Sequence, residues 1–329
     1  MNTDASSTRT QRDSQMHTEI SSPSRFTSIS GSLESNKREI LWDSDSQWFG
    51  AIEVCGKKII VGWNSGDLTI YDSGDVTRQA VLTKCSQSVV TSVQCTCSQI
   101  IAGYADGSVC AISIQNGNLV KRILIGDGHD GIHAVCMRWK TPNLIIGTQN
   151  NRVQMWQYCD SEFTYHGGWD TNVELNRLEF NNNFVALLPV MSKSVIICNL
   201  TGCQLNSVSS SDEIADMILL GDHLITGGKQ KVLQLWDVQG GQQLMQLEGH
   251  TEDIVHVEAR NEVILSGDSF GTIIIWSVKE ALKRNALQLS RVSVPGAGLD
   301  CVCLGPNYFV AQPKDQARLI VMDFPVCAV

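Results

Sequence analysis

The chain has no apolar run approaching the roughly 20 residues that cross a bilayer as a helix. Its first stretch, Met1 to Ile20, is polar and lacks the apolar segment of a secretory signal. Neither a membrane-inserted nor an exported protein is expected, which points to the cytoplasm or nucleus. Positive charge is in deficit: 25 Lys and Arg stand against 34 Asp and Glu, a formal net charge of −9. A general duplex binder needs many cations to displace counterions, so nucleic acid is not an expected partner. Cys-x-x-Cys pairs, a P-loop, a Gly-x-Ser-x-Gly elbow and the glycine pattern of a dinucleotide fold are all missing. No catalytic residue, metal, cofactor or small-molecule substrate is expected.

What is there is an ordinary globular composition, 43% hydrophobic and 18% charged, able to fill a sizeable core. Twelve cysteines are spread thinly along it. Without an export signal they read as free thiols in a reducing compartment, mostly as small buried hydrophobes. Cys95-x-Cys97 and Cys301-x-Cys303 each place two thiols on one face of a strand. His129 and His133 are four apart, but in a turn rather than on a helix, and a structural or incidental role is expected for them.

Residues 1–36 are crowded with Ser and Thr, and their few apolar residues follow no period. Such a segment cannot bury enough surface to offset its chain entropy, so it reads as a disordered tail. From Lys37 to Val329 short apolar runs alternate with Gly, Asn, Asp and Ser clusters every 8 to 12 residues, the pattern of many short strands. Only Val278–Leu287 looks helical, with Glu280 and Arg284 at i,i+4 spacing.

The body repeats. An apolar strand, a small residue, a polar turn and a strand ending in an aromatic recur from Val263 to Trp276, from His223 to Asp237, from Leu144 to Trp156, from Ile100 to Ile112 and from Ile59 to Asp72. Weaker copies start at Phe184 and Phe309. The small-residue anchors are Gly62, Gly103, Gly147, Leu187, Gly227, Gly267 and Ala311, spaced by 41, 44, 40, 40, 40 and 44 residues. Seven copies near this period resemble the WD40 repeat, in which each copy is a four-stranded blade. Gly249-His250 and Gly128-His129 before first strands, and Trp236-Asp237 at the end of a third strand, carry the same resemblance.

That resemblance implies an all-β, seven-bladed WD40-type propeller over residues 37–329. It also implies a buried set of His, Ser/Thr, turn Asp and Trp in each blade. The copy ending at Trp276 supplies His250, Ser266 and Trp276, with Phe270 where the Asp is expected, so no copy is complete. A propeller must also hide its last edge. Arg38–Trp42 is the spare strand. From Trp42 to Phe49 is 7 residues, the distance that separates the end of a fourth strand, Leu247, from Ile254. Arg38–Trp42 is therefore predicted to pair as the outer strand of the last blade.

In this frame the second-to-third-strand turns share a rim with the lead-in to each first strand. The turns of three consecutive copies carry Arg152, Lys193, Lys229 and Lys231, and the last copy adds Lys314 and Arg318. The lead-ins carry Asp130, Glu174, Asp212, Glu213, Glu252 and Asp253. The cations are candidates for docking an acidic or phosphorylated peptide. The expected function is a non-enzymatic interaction scaffold. The weaker likeness to F-box/WD-type proteins implies a substrate receptor of a ubiquitin ligase, although residues 1–36 show no helical F-box pattern. The alternatives are assembly of a signalling or regulatory complex and, further off, an enzyme with its site across the blades.

Overall fold

The computed structural model describes residues 37–42, 48–96, 98–125, 134–140, 142–148, 150–260, 263–294, 298–314 and 316–324. The tail, Gly128, His129, Asp130, His133 and Cys97 lie outside the described residues. Within them the chain forms seven four-stranded antiparallel sheets. The first strands of blades 1 to 7 are Phe49–Cys55, Val90–Cys95, Ala134–Lys140, Leu175–Phe180, Ile214–Leu220, Ile254–Arg260 and Leu299–Leu304. Each packs beside the first strands of its neighbours, and that of blade 7 returns to that of blade 1, so the sheets form a closed ring.

The core is seven apolar clusters, one between each pair of adjacent blades. Alternation explains this. Along the second strand of blade 1, Ile59 and Val61 join the cluster shared with blade 7, and Ile60 joins the one shared with blade 2. Both faces of a blade are buried, so its second strand reads as a continuous apolar run rather than an alternating one. The small anchors mark where the next blade leans in. A Cβ on Gly62 would lie 2.4 Å from Val90, and one on Gly267 would lie 2.8 Å from Leu299.

Every first strand opens with a β-bulge at the same register, between Phe49 and Ala51, Val90 and Ser92, Ala134 and Cys136, and so on to Leu299 and Cys301. This common mark corrects two anchors. Opposite the residue after the bulge stand Gly62, Gly103, Gly147, Gly227 and Gly267, but also Leu188 and Gln312. Leu187 and Ala311 are each one residue off, because a local apolar match cannot distinguish neighbours in a run buried on both faces.

The predicted closure holds. Lys37–Leu41 pairs antiparallel with Arg318–Asp323 as the outer strand of blade 7. Arg38 forks onto Asp323 through two hydrogen bonds of 2.9 and 2.6 Å, and Arg318 reaches Glu39 at 2.9 Å. Ile40 is buried in the cluster shared with blade 1. Trp42 lies just past the strand; its N–H donates to Ala317 O, and its ring meets Trp63 edge-on at 5.7 Å.

The predicted helix is shorter than its pattern. It spans Val278–Leu282, capped by Ser277, whose hydroxyl accepts from Glu280 N at 3.3 Å. Arg284 takes a left-handed backbone with φ +63, and Glu280 pairs with Lys283 instead, at 3.0 Å. Nor are the cysteines uniformly buried: the nine whose thiols are described include Cys159 and Cys203, which are exposed.

Candidate functional site

Three regions carry chemistry: a buried relay in blade 6, the rim, and the central channel. The relay completes a set that looked incomplete. Trp276 Nε1 donates to Ser266 Oγ at 2.8 Å, and Ser266 Oγ lies 2.7 Å from His250 Nε2. His250 Nδ1 lies 2.9 Å from Asp268 Oδ2. A carboxylate only accepts, so Nδ1 carries the proton and Nε2 accepts from the serine. Burial holds the imidazole below its usual pKa, although Asp268 opposes the shift. The missing acid is therefore Asp268, two residues before the expected Phe270. Its Oδ1 also accepts the N–H groups of Phe270 and Thr272, tying down the turn. Phe270, released from that task, is 70% exposed.

Blade 5 keeps only the Trp end: Trp236 Nε1 donates to Thr226 Oγ1 at 2.9 Å. Asp237 accepts from Gln239 N and Gly240 N and so caps the following turn.

The second-to-third-strand turns and the lead-ins do share one rim. Turn backbone bonds to lead-in backbone from Asn64 to Trp48, Ala105 to Val89, Lys229 to Glu213 and Ser269 to Asp253. The four candidate cations are there, and each meets an acid of the same rim. Arg152 lies 3.0 Å from Asp170, Lys193 lies 3.9 Å from Asp212, Lys229 lies 2.7 Å from Glu213 and Lys231 lies 3.5 Å from Glu252. Arg318, grouped with them by sequence, instead serves the closing strand.

The rim holds a second feature. The fourth residue after the anchor takes a left-handed backbone in five blades: Gly66, Gly107, Asn151, Lys231 and Gly271. Blade 4 has Met191 there, one residue earlier, at φ +52. Met191 is 80% exposed and Trp48 is 55% exposed, so with Phe270 three large apolar side chains project from this rim.

The channel was not foreseen. Facing positions of the first strands line a cavity of about 640 Å³, and their side chains bridge all seven blade junctions. Gln94 donates to Glu53 and accepts from Trp139 N. Arg138 pairs with Glu179, and Arg177 with Asp216 at 3.2 Å. Asp216 accepts from Val257 N, Glu258 from Leu304 N, and Cys303 Sγ meets Ile52 O at 3.5 Å. A signal for it exists. Glu53, Gln94, Arg138, Glu179, Ile218, Glu258 and Cys303 each stand nine residues before the structural anchor of their blade. With Leu187 and Ala311 as anchors, the series breaks in blades 4 and 7.

No family model matches the chain, and no curated protein sequence does. Solved structures do. It is similar to the crystal structure of the WD40 β-propeller domain of Doa1, with a TM-score of 0.67 and 14% identity over 87% of this chain and 95% of that one. It is also similar to the computationally designed Ika8 protein, with a TM-score of 0.59 and 18% identity over 84% of this chain and 96% of that one. At these identities the likeness is one of fold. The protein is a seven-bladed propeller of WD40-like fold. Among the described residues no helix is long and apolar enough to cross a membrane.

Proposed function

We propose that this protein is a non-enzymatic scaffold, acting in the cytoplasm or nucleus, that docks a protein or peptide partner on the rim of Arg152, Lys193, Lys229 and Lys231. The observation that carries this reading is Met191. A non-glycine residue in the left-handed region costs roughly 1–2 kcal/mol, and an exposed large apolar side chain does nothing for the core. Finding both at one turn tip, with Lys231 equally left-handed in the next blade, fits a surface shaped for contact. Met191, Phe270 and Trp48 are the apolar anchors. The four cations supply the polar contacts, exchanging their rim carboxylates for an acidic or phosphorylated side chain of the partner. The exchange is cheap, because an exposed ion pair is worth about 0.2–1 kcal/mol.

Affinity capture from native cells tests the reading. The unmodified chain should recover partners that Met191→Ser/Phe270→Ser and Arg152→Glu/Lys229→Glu lose by at least about tenfold. Lys279→Glu, in the helix of the opposite rim, should retain them. Equal recovery by all the variants overturns it. Capture with and without residues 1–36 separates the two finer roles: a ubiquitin-ligase receptor brings ligase subunits, a signalling or regulatory assembly brings its own.

A further inference from the structure

Glu53, Cys303 and Glu258 come from blades 1, 7 and 6, the three blades that meet around the closure seam. All three occupy the channel position nine residues before their anchors. One ligand atom from each lies within 4.8 Å of the other two. The donors are held, not loose: Glu53 accepts from Val54 N and from Gln94 Nε2, both at 2.9 Å, and Cys303 is buried. Glu258 Oε2 accepts from Leu304 N at 2.5 Å, and its other oxygen has no hydrogen-bond partner among the described residues. We infer that these three side chains form a binding site for a single divalent metal ion of the zinc class, entered from the central channel.

Donor chemistry selects the class. Magnesium and calcium take oxygen ligands only, whereas a thiolate with two carboxylates suits zinc and similar borderline ions. Three protein ligands leave a fourth position, which channel water fills. Charge fits as well. Arg260, whose Nη2 donates to Val54 O at 3.0 Å, acts on all three groups and offsets one negative charge. Two carboxylates and a thiolate then leave two negative charges, which a dication cancels. A ligand binds the ion in its deprotonated form, so any proton that the carboxyls or the thiol hold must leave. Metal binding therefore displaces protons.

The test uses the full chain, stripped with a chelator and titrated with Zn²⁺ by calorimetry and with Co²⁺ by absorption. One ion per chain is expected, with proton release and a thiolate-to-cobalt charge-transfer band. Cys303→Ser should abolish the band and weaken Zn²⁺ at least about tenfold. Glu258→Gln should weaken binding similarly while keeping the band, and Cys203→Ser, an exposed thiol, should change neither. If Cys303→Ser does not fold by circular dichroism, Glu53→Gln carries the same expectation as Glu258→Gln. Absence of binding, or affinity unchanged in Glu258→Gln and Glu53→Gln, overturns the site and leaves a proton-sharing pair of carboxyl groups.

Discussion

Blades 4 and 6 have the same four strands and the same opening bulge, yet different chemistry holds them. In blade 6, Ser266 faces Ile274 and Trp276 faces Ile264 across the sheet, and both join the relay to His250 and Asp268. In blade 4 the matching positions are Leu187, facing Ile196, and Cys198, facing Val185. Both are buried in the apolar cluster shared with blade 3. Thr171, at the place of His250, bonds only to the backbone oxygens of Asn151 and Val173. The turns differ in parallel. Blade 6 has a carboxylate tying its turn and Gly271 at the left-handed position; blade 4 has the Ser192 hydroxyl, which accepts from Ser194 N at 2.9 Å, and strains Met191. A propeller blade thus tolerates loss of the polar set where apolar burial replaces it.

The largest effect expected from breaking this contrast is in the relay. Asp268→Ala leaves a buried imidazole N–H and two turn N–H groups without acceptors, and should lower stability by about 3 kcal/mol in urea titrations. In blade 4, Leu187→Ala should cost a similar amount by a different route, an unfilled cavity of about 3 kcal/mol. In double-mutant cycles with His250, Asp268→Ala should show coupling and Leu187→Ala none.

Next comes pH, which acts on blade 6. Burial holds His256 near 4, below its usual 6.5, so its contribution is full above pH 6.5 and is lost as pH falls toward 4. In the chelator-stripped chain Glu258 is raised from 4.5 to about 8, so its contribution is full below pH 4.5 and is lost as pH rises toward 8. Between 4.5 and 6.5 the two slopes oppose each other. His256→Gln should uncover a fall in stability with rising pH in this window, and Glu258→Gln a fall with declining pH. Each changes the slope by up to about 1.4 kcal/mol per pH unit. Parallel pH-dependent unfolding curves for the wild type and both variants would contradict this.

Turn strain is smaller. Gly271→Ala should destabilise by about 2 kcal/mol, because its φ is +89 and a Cβ would sit 2.9 Å from Val294 O. Met191→Gly should do the opposite, raising stability by about 1 kcal/mol while weakening partner capture. Thermal melts of the two variants, shifting in opposite directions, check both. The smallest effect is Lys193→Glu, a 3.9 Å pair in solvent; stability should move by under about 0.5 kcal/mol by the same melts.

Much of this was legible in sequence. The repeat period, the all-β class, the closing strand and the common rim all follow from local patterns read in series. The candidate cations sit on the rim where the frame placed them. Their acidic partners were also visible as lead-in residues, but nothing local pairs Lys229 with Glu213 rather than with another acid. Asp268 was missed because its carboxylate reaches His250 from two residues before the familiar position, and only the folded turn shows that reach. The channel set was missed for a sharper reason. Its members lie about 40 residues apart, one per blade, so a one-residue error in two anchors removed the signal.

The sequence by itself determined how many blades there are and how the ring closes, because strand alternation, turn residues and a free edge are properties of short segments. Tertiary structure alone decided which charges meet, which turn is strained and what faces the channel. Those outcomes depend on the register between strands from different repeats, where one residue turns a side chain from one blade junction to the other.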